Sequence, residues 1–295
     1  MGLGAWSNPG LLLGLFPTQC TIHCSPATRA GFRDCCSGLF RHDAPVETCF
    51  TEERSMHYVD LTLPTPAENL AWEDALLQQA DSGQFRHECL RLWDARQVFV
   101  VLGRSSRARQ EVHLETVDRQ GIPLLRRITG GATIVAAPGC MFYAVTLSLE
   151  KRPELRMLDQ AHRFVMERIR QAVGRLGIAA RVDGNCDLVV GERKTSGNSL
   201  RIQRNWLLYH GTLLLDMDLS WPDRLLAHPP REPAYRRGRA HCDFLANLGV
   251  SRHALADALC HAWQAEPLAE NAWPQLDLEP LIAVRYGSHA WNRSR

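Results

Sequence analysis

Four β-like segments follow one another within residues 178–215, and their short connections constrain the fold more than any other feature of this sequence. The segments read IAARV, DLVV, KTSGNSL and WLLYHGTLLL. The second and third are separated by GE at residues 191–192, a spacing typical of a two-residue hairpin turn. The sequence therefore predicts a compact group of strands in this half of the chain.

Two longer helices are predicted before this group. Residues 157–176 keep an apolar face at helical spacing, and Gly177 closes the helix. TPAENLAWEDALLQQA begins with a capping box, in which Thr65 is the N-cap and Glu68 occupies the third helical position after Pro66. The predicted apolar faces comprise Leu158, Ala161, Val165, Ile169, Ala172 and Leu176 in the later helix, and Leu70, Ala71, Ala75 and Leu77 in the earlier one.

Further strands are predicted at residues 57–63, 89–93, 97–103 and 141–149, and shorter helices at 113–120, after Leu219, at 251–263 and near the C-terminus. Runs of strands interrupted by a few helices indicate an α+β domain. We therefore expect mixed or antiparallel sheets flanked by helices.

Residues 1–55 differ from the rest, because they are rich in Gly, Pro, Ser, Thr and Cys and show no sustained periodicity. The apolar stretch LLLGLF is short and no basic residue precedes it, which does not fit a signal peptide. The pair of cysteines in CTIHC is not followed by a second pair with zinc-ligand spacing. We interpret residues 1–55 as a disordered extension, or as translated sequence upstream of a start at Met56.

Charge and cysteine use exclude several classes of function. The formal net charge of the 295 residues is +2, which gives no case for a nucleic-acid or membrane partner. No apolar run reaches the length that spans a bilayer. Five of the ten cysteines are scattered after residue 56 and are interpreted as free thiols in a reducing cytoplasm.

RRITGG at residues 126–131 is the first of three stretches that carry candidate chemistry. Glycines let a backbone approach a ligand closely, and arginines offer planar forks for carboxylate or phosphate. The stretch is neither a Walker A loop nor a dinucleotide fingerprint, since no GK[ST] and no third glycine follow. Taken alone, it also fits a turn with a solvated basic face.

The second stretch, GNCDLVVGERKTSGNSL at residues 184–200, places Lys194 among small residues. A surface lysine needs no such neighbours, whereas a lysine that contacts a ligand does. With the hairpin turn at residues 191–192, Val189 pairs with Lys194. Alternation then puts Lys194, Asp187 and Ser196 on one face and Cys186 on the other, and a slip of one residue reverses the Cys186 assignment.

The third stretch, WLLYHGTLLL at residues 206–215, is an apolar strand interrupted by His210 and Gly211. A histidine in such a strand is most often a hydrogen-bonded core residue. Its spacing alone gives it no chemical role.

In this order, the three stretches resemble the catalytic domain of the lipoate–protein ligase family. That family shows RR-[ST]-GGG-x-x-x-H-D-x-G-N, then N-D-[LI] and G-[DEK]-[RK]-K-x-[SA]-G-[SN], and finally H-G-[ST]-[LI]-L. The resemblance runs from Met56 to about Trp291 and includes CDFLANL and YGSHAWN. It implies a catalytic domain at 56–295 with the biotin/lipoate protein ligase fold, similar to biotin synthetase and class II aminoacyl-tRNA synthetases.

The resemblance implies transfer of lipoyl or octanoyl groups to a lysine of lipoyl domains, after ATP and Mg²⁺ convert the free acid to an acyl-adenylate. The acceptors would be lipoyl domains of 2-oxoacid dehydrogenases or the glycine cleavage H protein. Many bacterial ligases carry a C-terminal accessory domain, and none is expected here, so a separate accessory subunit is a candidate partner.

Roles carry over by motif. Lys194 would contact the α-phosphate and the acyl carbonyl, and would stabilise the oxyanion formed when the acceptor lysine attacks. Asp187 would bind the adenylate side or a Mg²⁺ ion, and His210 would support the site from its strand. The other candidates for binding the acyl-adenylate are Arg126, Arg127, Thr129, Gly130, Gly131, Ala132, Ser196, Gly197, Gly211 and Thr212.

Two of these groups have more specific implied roles. Arg126 or Arg127 would help to bind phosphate or to orient the loop. Gly130 and Gly131 would let the backbone line the acyl tunnel.

The chain departs from the family pattern at several positions. Ala132 replaces the third glycine, and Ala136 and Ala137 replace the His-Asp pair. Cys140 and Cys186 replace two asparagines. Polar groups are therefore missing, and two thiols are added in or near the expected site.

These thiols open a second chemistry. Octanoyltransferases of the family use no ATP: a cysteine thiolate takes the acyl group from acyl carrier protein and passes it to the lipoyl domain. Cys186 is the better candidate nucleophile and Cys140 the other, with Lys194 lowering the thiol pKa. Cys186 and Cys140 could equally be small, buried apolar residues of the core, as free cysteines usually are.

A non-catalytic acyl-binding or scaffold protein is a further alternative, although a retained Lys194 argues against it. A biotin ligase would instead show a GRGRxGR-like loop in place of RRITGG. The basic cluster YRRGRAH at residues 235–241 is interpreted as a solvated link or as a patch that docks acidic lipoyl domains.

Overall fold

The computed structural model of the chain describes residues 56–294, so the predictions for residues 1–55 lie outside the described residues. The strands are β1 (Met56–Asp60), β2 (Cys89–Asp94), β3 (Phe99–Leu102), β4 (Leu124–Arg126), β5 (Ile134–Ala136), β6 (Cys140–Ser148), β7 (Ala180–Asp183), β8 (Asp187–Val190), β9 (Arg193–Ser196), β10 (Asn198–Ile202), β11 (Trp206–Leu214) and β12 (Ala265–Pro267).

The helices are α1 (Pro66–Asp81), α2 (Ala108–Glu111), α3 (Leu114–Arg119), α4 (Leu158–Arg175), α5 (Ser220–Leu225), α6 (His241–Phe244), α7 (Arg252–Trp263), α8 (Glu279–Leu281) and α9 (His289–Asn292). Single helical turns lie at Pro153–Arg156, Ala234–Arg236, Glu270–Ala272 and Ile282–Tyr286. Within residues 56–294, no helix is long and apolar enough to cross a membrane.

A six-stranded sheet with the order β10-β11-β6-β2-β1-β12 forms the centre of the fold. β1 runs parallel to both β2 and β12, and the other neighbours are antiparallel, so the sheet is mixed as predicted. Two three-stranded sheets, β4-β3-β5 and β7-β8-β9, accompany it. The predicted α+β class with mixed and antiparallel sheets is confirmed.

Alternate residues of β6 divide the hydrophobic core into two layers, because successive side chains of a strand point to opposite faces. Tyr143 and Val145 pack with α4 and α7 on one face, whereas Phe142 and Ala144 pack with α1 on the other. The central sheet is therefore covered by helices on both sides.

The predicted apolar face of α4 is confirmed at Ala161, Val165, Ile169 and Ala172, which are fully buried, while Leu176 is half-buried. The prediction that Leu158 belongs to this buried face is wrong, since its side chain is 59% exposed. It is the first residue of the helix, and helical side chains lean toward the N-terminal end, away from the packed turns. Gly177 follows the helix at φ +80°, the conformation that a glycine after a helix provides.

The capping box of α1 is also confirmed. Thr65 Oγ1 accepts a hydrogen bond from the backbone N–H of Glu68 at 3.2 Å, and the Glu68 carboxylate accepts one from the Thr65 N–H at 2.8 Å. The four predicted apolar positions of this helix are buried. The helix therefore begins where the sequence signal places it.

The sequence predicts a single strand over KTSGNSL, but the structure has two strands there. β9 ends at Ser196 and pairs with β8 in the small sheet, whereas β10 begins at Asn198 and pairs with β11 in the central sheet. Gly197 lies between them. A residue without a side chain lets the backbone pass from one sheet to the other, which brings the two sheets together at this point.

Candidate active site

A cavity of about 550 Å³ lies where the β8–β9 hairpin, strands β10 and β11 and residues 127–133 after β4 meet. We call residues 127–133 the glycine loop. One part of its wall is apolar, and the other is polar and charged. The apolar part comprises Leu70, Val101, Ile134, Phe142, Leu214 and Met217. The predicted site residues that line the cavity are Arg127, Gly131, Ala132, Cys186, Asp187, Lys194, Ser196, Gly197, His210, Gly211 and Thr212.

Lys194 lies on the polar wall. The hairpin register is as predicted, with Val189 opposite Lys194. Lys194 Nζ lies 2.7 Å from Asp187 Oδ1, so these two side chains share a face as expected. The Lys194 side chain retains 25% exposure. A cation that is held by one carboxylate and still open to the cavity can bind an incoming anion.

Gly197 makes room for this lysine. A Cβ built at Gly197 would lie 3.1 Å from both Cε and Nζ of Lys194, closer than ordinary van der Waals contact. The small residues around Lys194 therefore have a steric cause, because the lysine side chain lies across the glycine backbone.

Asp187 uses both of its carboxylate oxygens. Oδ1 pairs with Lys194, and Oδ2 accepts a hydrogen bond of 2.8 Å from the Tyr235 hydroxyl. Among the described residues, no group of three or more His, Cys, Asp or Glu side chains could hold a metal ion. The role of Asp187 toward the adenylate or a Mg²⁺ ion stays a prediction.

Ser196 lines the cavity with Lys194 and Asp187 as expected, but its ladder partner and the face of Cys186 differ from the prediction. The ladder shifts by one residue beside Leu188, so Ser196 lies opposite Leu188 instead of Asp187. Cys186 precedes β8 and lies outside the ladder, and it lines the same cavity as Lys194. A pattern of alternating faces cannot reveal a bulge of this kind.

The surroundings of Cys186 favour the protonated form of its thiol. Its Sγ lies 3.1 Å from the carbonyl oxygen of Asn198. Burial, together with the nearby charge of Asp187, raises the pKa of Cys186 to about 11, although Lys194 offsets part of the increase. The expected activation of this thiol by Lys194 is therefore weak.

The structure does not bring Cys140 to Lys194. Cys140 is buried at the start of β6 and borders a second cavity, together with Asp94 and Arg252. Burial raises the pKa of its thiol well above the ordinary value. Cys140 fits the alternative of a small buried core residue.

Arg127 holds the glycine loop. Its guanidinium donates hydrogen bonds to the carbonyl oxygens of Gly130, Ala132 and Val101, the last two at 2.9 and 3.3 Å. Burial lowers the pKa of Arg127 to about 10, so it stays charged at neutral pH. Gly131 follows at φ +86°, which favours glycine. Of the two implied roles, these contacts favour orientation of the loop.

Arg126 does not line the cavity. Its guanidinium is fully buried and donates to the carbonyl oxygens of Gly103, Ser106 and Ser294 at 2.6–2.9 Å. It therefore attaches the loop after β3 to the C-terminal segment. The expectation that Arg126 contacts phosphate is not supported by this placement, because consecutive strand residues point to opposite faces.

His210 connects the cavity to the helical layer. Its Nδ1 lies 2.5 Å from Glu73 Oε2, and its Nε2 lies 2.7 Å from Thr129 Oγ1. Thr129 Oγ1 also accepts the Nε–H of Arg127 at 3.0 Å. His210 therefore links Glu73 of α1 to Thr129 of the glycine loop.

Sequence reasoning missed Glu73, Asn198 and Tyr235. Asn198 accepts from the Tyr143 hydroxyl at 2.6 Å and donates to the carbonyl oxygen of Cys186 at 2.6 Å, which fixes the turn before β8. Asn198 could have been found from the sequence, because it lies in the GNS part of the stretch at residues 184–200 that carries Lys194. Glu73 and Tyr235 gave no signal, because their partners lie far away in sequence.

Comparison with known proteins agrees with this arrangement. Residues 65–250, more than half of the chain, match the family described as lipoyl protein ligase A/B catalytic domain. A protein of Aeropyrum pernix, provisionally named lipoate-protein ligase A, is 33% identical over 162 residues, which cover 55% of this chain and 58% of that protein.

Solved structures show the same fold. A lipoate-protein ligase A bound with ATP has a TM-score of 0.65 at 19% identity, covering 81% of this chain and 98% of that one. A bi-partite lipoate protein ligase with its E2 lipoyl domain from Thermoplasma acidophilum has a TM-score of 0.65 at 21% identity, covering 81% and 96%.

The chain spans about half the length of the curated relatives it matches, 58% of the Aeropyrum protein and 44% of lipoate–protein ligase 1 of Staphylococcus aureus. The matched region nevertheless contains the glycine loop, the Lys194 hairpin and the His210 strand. With its sequence match and its fold, the chain belongs to the lipoyl protein ligase A/B catalytic domain family.

Proposed function

We propose that this chain converts lipoate or octanoate to an acyl-adenylate with ATP and transfers the acyl group to a lysine of a lipoyl domain. The observation that carries the proposal is Lys194, whose Nζ is paired with Asp187 at 2.7 Å on the polar wall of a partly apolar cavity. An eight-carbon acyl chain fits an apolar wall, and its carboxylate fits a cation. The cavity volume lies in the range of small-molecule sites.

The first step joins two anions. A carboxylate oxygen of the acid bonds to the α-phosphorus of ATP, and the bond from that phosphorus to the oxygen bridging to the β-phosphate breaks. Pyrophosphate leaves with the electron pair. Carboxylate and phosphate repel each other, so a cation between them lowers the barrier. Lys194 is the cavity residue suited to this position.

The second step forms an amide. The neutral amine of the acceptor lysine bonds to the acyl carbonyl carbon, which makes its oxygen an oxyanion. The carbon–oxygen bond to AMP then breaks, AMP leaves with the electron pair, and the amine loses a proton to solvent. Lys194 stabilises the oxyanion, and the apolar wall keeps the acyl chain in place.

The composition of the chain supports a specific need for lysine. Lys151 and Lys194 are its two lysines, and arginine supplies the rest of the basic charge. Lysine carries a compact charge on a flexible stem, whereas arginine presents a rigid fork. A compact charge can follow the reacting oxygen from adenylate to oxyanion.

Magnesium and partners belong to the same proposal. Mg²⁺ would be bound with the nucleotide phosphates, as is usual for this ion, and Asp187 is the candidate protein ligand. The acceptors are lipoyl domains of 2-oxoacid dehydrogenases or the glycine cleavage H protein, and a separate accessory subunit would assist adenylation.

Cysteine-dependent octanoyl transfer from acyl carrier protein is the alternative chemistry. Cys186 favours it by lining the cavity with Lys194. Burial opposes it, because a thiol with a pKa of about 11 is almost entirely protonated at neutral pH. We therefore place ligase chemistry first.

Intact-mass detection of the lipoyl domain tests the proposal. The full chain is offered octanoate with ATP and Mg²⁺, octanoyl-adenylate, or octanoyl-acyl carrier protein. We expect acylation from the first two donors and retention of activity in Cys186→Ser. Lys194→Ala should lower the rate at least about 100-fold, the usual cost of removing an oxyanion-stabilising group.

Lys151→Ala is the matched control, because it removes the other lysine from an exposed position outside the cavity. Acylation only from octanoyl-adenylate would assign the transfer step to this chain and the activation step to a partner. Acylation only from the carrier protein, with a hydroxylamine-sensitive adduct on Cys186, would replace the ligase proposal by the transferase.

A further inference from the structure

The cavity is bordered on one side by residues 229–239, which we call the strap. Two hydrogen bonds hold the strap against the β8–β9 hairpin, which carries Lys194. The Tyr235 hydroxyl donates to Asp187 at 2.8 Å, and Arg239 Nη2 donates to the carbonyl oxygen of Glu192 at 2.9 Å. Tyr235 therefore contacts the carboxylate that pairs with Lys194. The strap lies next to the proposed reaction centre.

Arg236 of the strap lines the cavity and is only 4% exposed. Its Nε donates to the carbonyl oxygen of Arg239 at 3.0 Å and lies 3.5 Å from the Glu232 carboxylate. The guanidinium carbon lies 4.8 Å from the centre of the Phe244 ring. These contacts fix the arginine through its Nε side and through one face.

The Nη2 atom of Arg236 is buried without a hydrogen-bond partner. In residues 56–294, Arg201 Nε and Trp263 Nε1 are the other side-chain atoms in this state, and neither residue lines the cavity. A buried donor without a partner is rare because it loses water and gains nothing in return. A donor of this kind at a cavity wall indicates a ligand that supplies the acceptor.

The neighbourhood of Arg236 favours a phosphate as that ligand. The segment after Phe244 lies beside β9, where the Ala246 N–H donates to the carbonyl oxygen of Lys194 at 2.9 Å. Arg236 and Lys194 thus flank the same short segment and face the same cavity. Two cations arranged in this way suit a chain of linked phosphates, and an arginine fork suits phosphoryl oxygens.

We propose that Arg236 binds the β- and γ-phosphates of ATP while Lys194 contacts the α-phosphate. This inference rests on the proposed function and adds a residue to it. When the acid oxygen bonds to the α-phosphorus, the electron pair of the breaking bond stays on pyrophosphate. Arg236 stabilises the negative charge that develops on this leaving group.

Isothermal titration calorimetry with the full chain tests the inference without requiring turnover. The probes are MgATP, magnesium pyrophosphate and AMP. Arg236→Gln should weaken binding of MgATP and pyrophosphate about 10- to 100-fold, as expected for loss of a charged hydrogen-bond donor. Binding of AMP, which lacks the outer phosphates, should change less than about threefold.

Arg237→Gln is the matched control, because it removes the same charge from an exposed neighbour that does not line the cavity. Equal affinities of the Arg236→Gln and Arg237→Gln proteins would overturn the inference, as would an equal loss for AMP and MgATP. Should Arg236→Gln fail to fold, Arg236→Lys decides, since it keeps the charge but not the fork and should still bind MgATP more weakly than the wild type.

Failure of the proposed function gives a different result. If the wild-type chain binds pyrophosphate in an Arg236-dependent manner but acylates nothing from octanoate and ATP, the phosphate site is supported and the proposed ligase reaction is contradicted. If the Arg236→Gln protein acylates the lipoyl domain at the wild-type rate, the ligase reaction is supported and the proposed role of Arg236 is contradicted.

Discussion

Lys194 reaches the cavity because the residue beneath its side chain has no Cβ. Its ammonium group is held by Asp187 at 2.7 Å, and its stem crosses Gly197. The position of the charge is therefore set by one ion pair and one steric allowance. Both are local features, since all three residues lie within eleven positions of the sequence.

Gly197→Ala tests the steric allowance. The new methyl group would lie 3.1 Å from Lys194 Nζ, so the lysine must move by a few tenths of an ångström away from its present position. We expect the rate of lipoyl-domain acylation to fall at least about tenfold, because small displacements of catalytic groups are costly. The melting temperature should change little.

Gly174→Ala provides the control for this substitution. Gly174 lies in α4, and a Cβ built there meets no atom within 4 Å. The alanine should leave acylation unchanged and stabilise the helix by up to about 1 kcal/mol. Wild-type acylation by Gly197→Ala would mean that Lys194 tolerates displacement and that the glycine serves only the passage between sheets.

The shared face of Lys194 and Asp187 could be predicted, because a two-residue hairpin turn sets the register of the two strands. The difference between Arg126 and Arg127 could not, since a double-arginine motif does not say which side chain faces the cavity. The contacts of Glu73 and Tyr235 also required the structure, because they join residues 137 and 48 positions apart in the chain.

At the scale of elements, α1 begins at a capping box that also determines where Glu73 is presented. Thr65→Ala removes the hydroxyl that accepts the Glu68 N–H at 3.2 Å. Loss of such an N-cap costs about 1 kcal/mol of unfolding free energy. We expect this loss in urea denaturation, together with a smaller decrease in acylation as the first turn frays.

Thr65→Ser keeps a hydroxyl at the N-cap and should stay within about 0.5 kcal/mol of the wild type. An equal loss for serine and alanine would assign the effect to the threonine methyl group and not to the cap.

The boundaries of the long elements followed from caps and periodicity, whereas their assignment to sheets did not. The sequence places β-like residues throughout 194–200, but only the structure shows that β9 and β10 pair with different neighbours. The strand β12 and the helix α2 have three and four residues, too few to show a period. Short elements depend on tertiary contacts more than on their own sequence.

At the scale of the whole molecule, Glu73 and His210 connect the helical layer, the central sheet and the glycine loop. Trp93 on β2 donates to Glu73 Oε1 at 2.8 Å, and Thr129 completes the connection on the far side of His210. All four side chains are buried. The site is therefore joined to the core by polar contacts that are buried away from solvent.

A double-mutant cycle with Glu73→Gln and His210→Gln measures this connection. Each single substitution should lower the unfolding free energy by about 2–4 kcal/mol, because it leaves a buried polar partner without its hydrogen bond. The two losses should not add. We expect a coupling energy of about 1–3 kcal/mol in urea denaturation, as for residues in direct contact.

Glu73→Gln combined with Arg175→Gln is the control cycle, because Arg175 is exposed on α4 and shares no hydrogen bond with Glu73. Its two effects should add within about 0.5 kcal/mol. Additivity in the Glu73–His210 cycle as well would show that this contact does not transmit stability between layers. The alternative outcome is coupling in the Glu73–His210 cycle but not in the control cycle, together with loss of acylation in both single variants. That outcome would mean that the network supporting the core also holds the glycine loop in its active position.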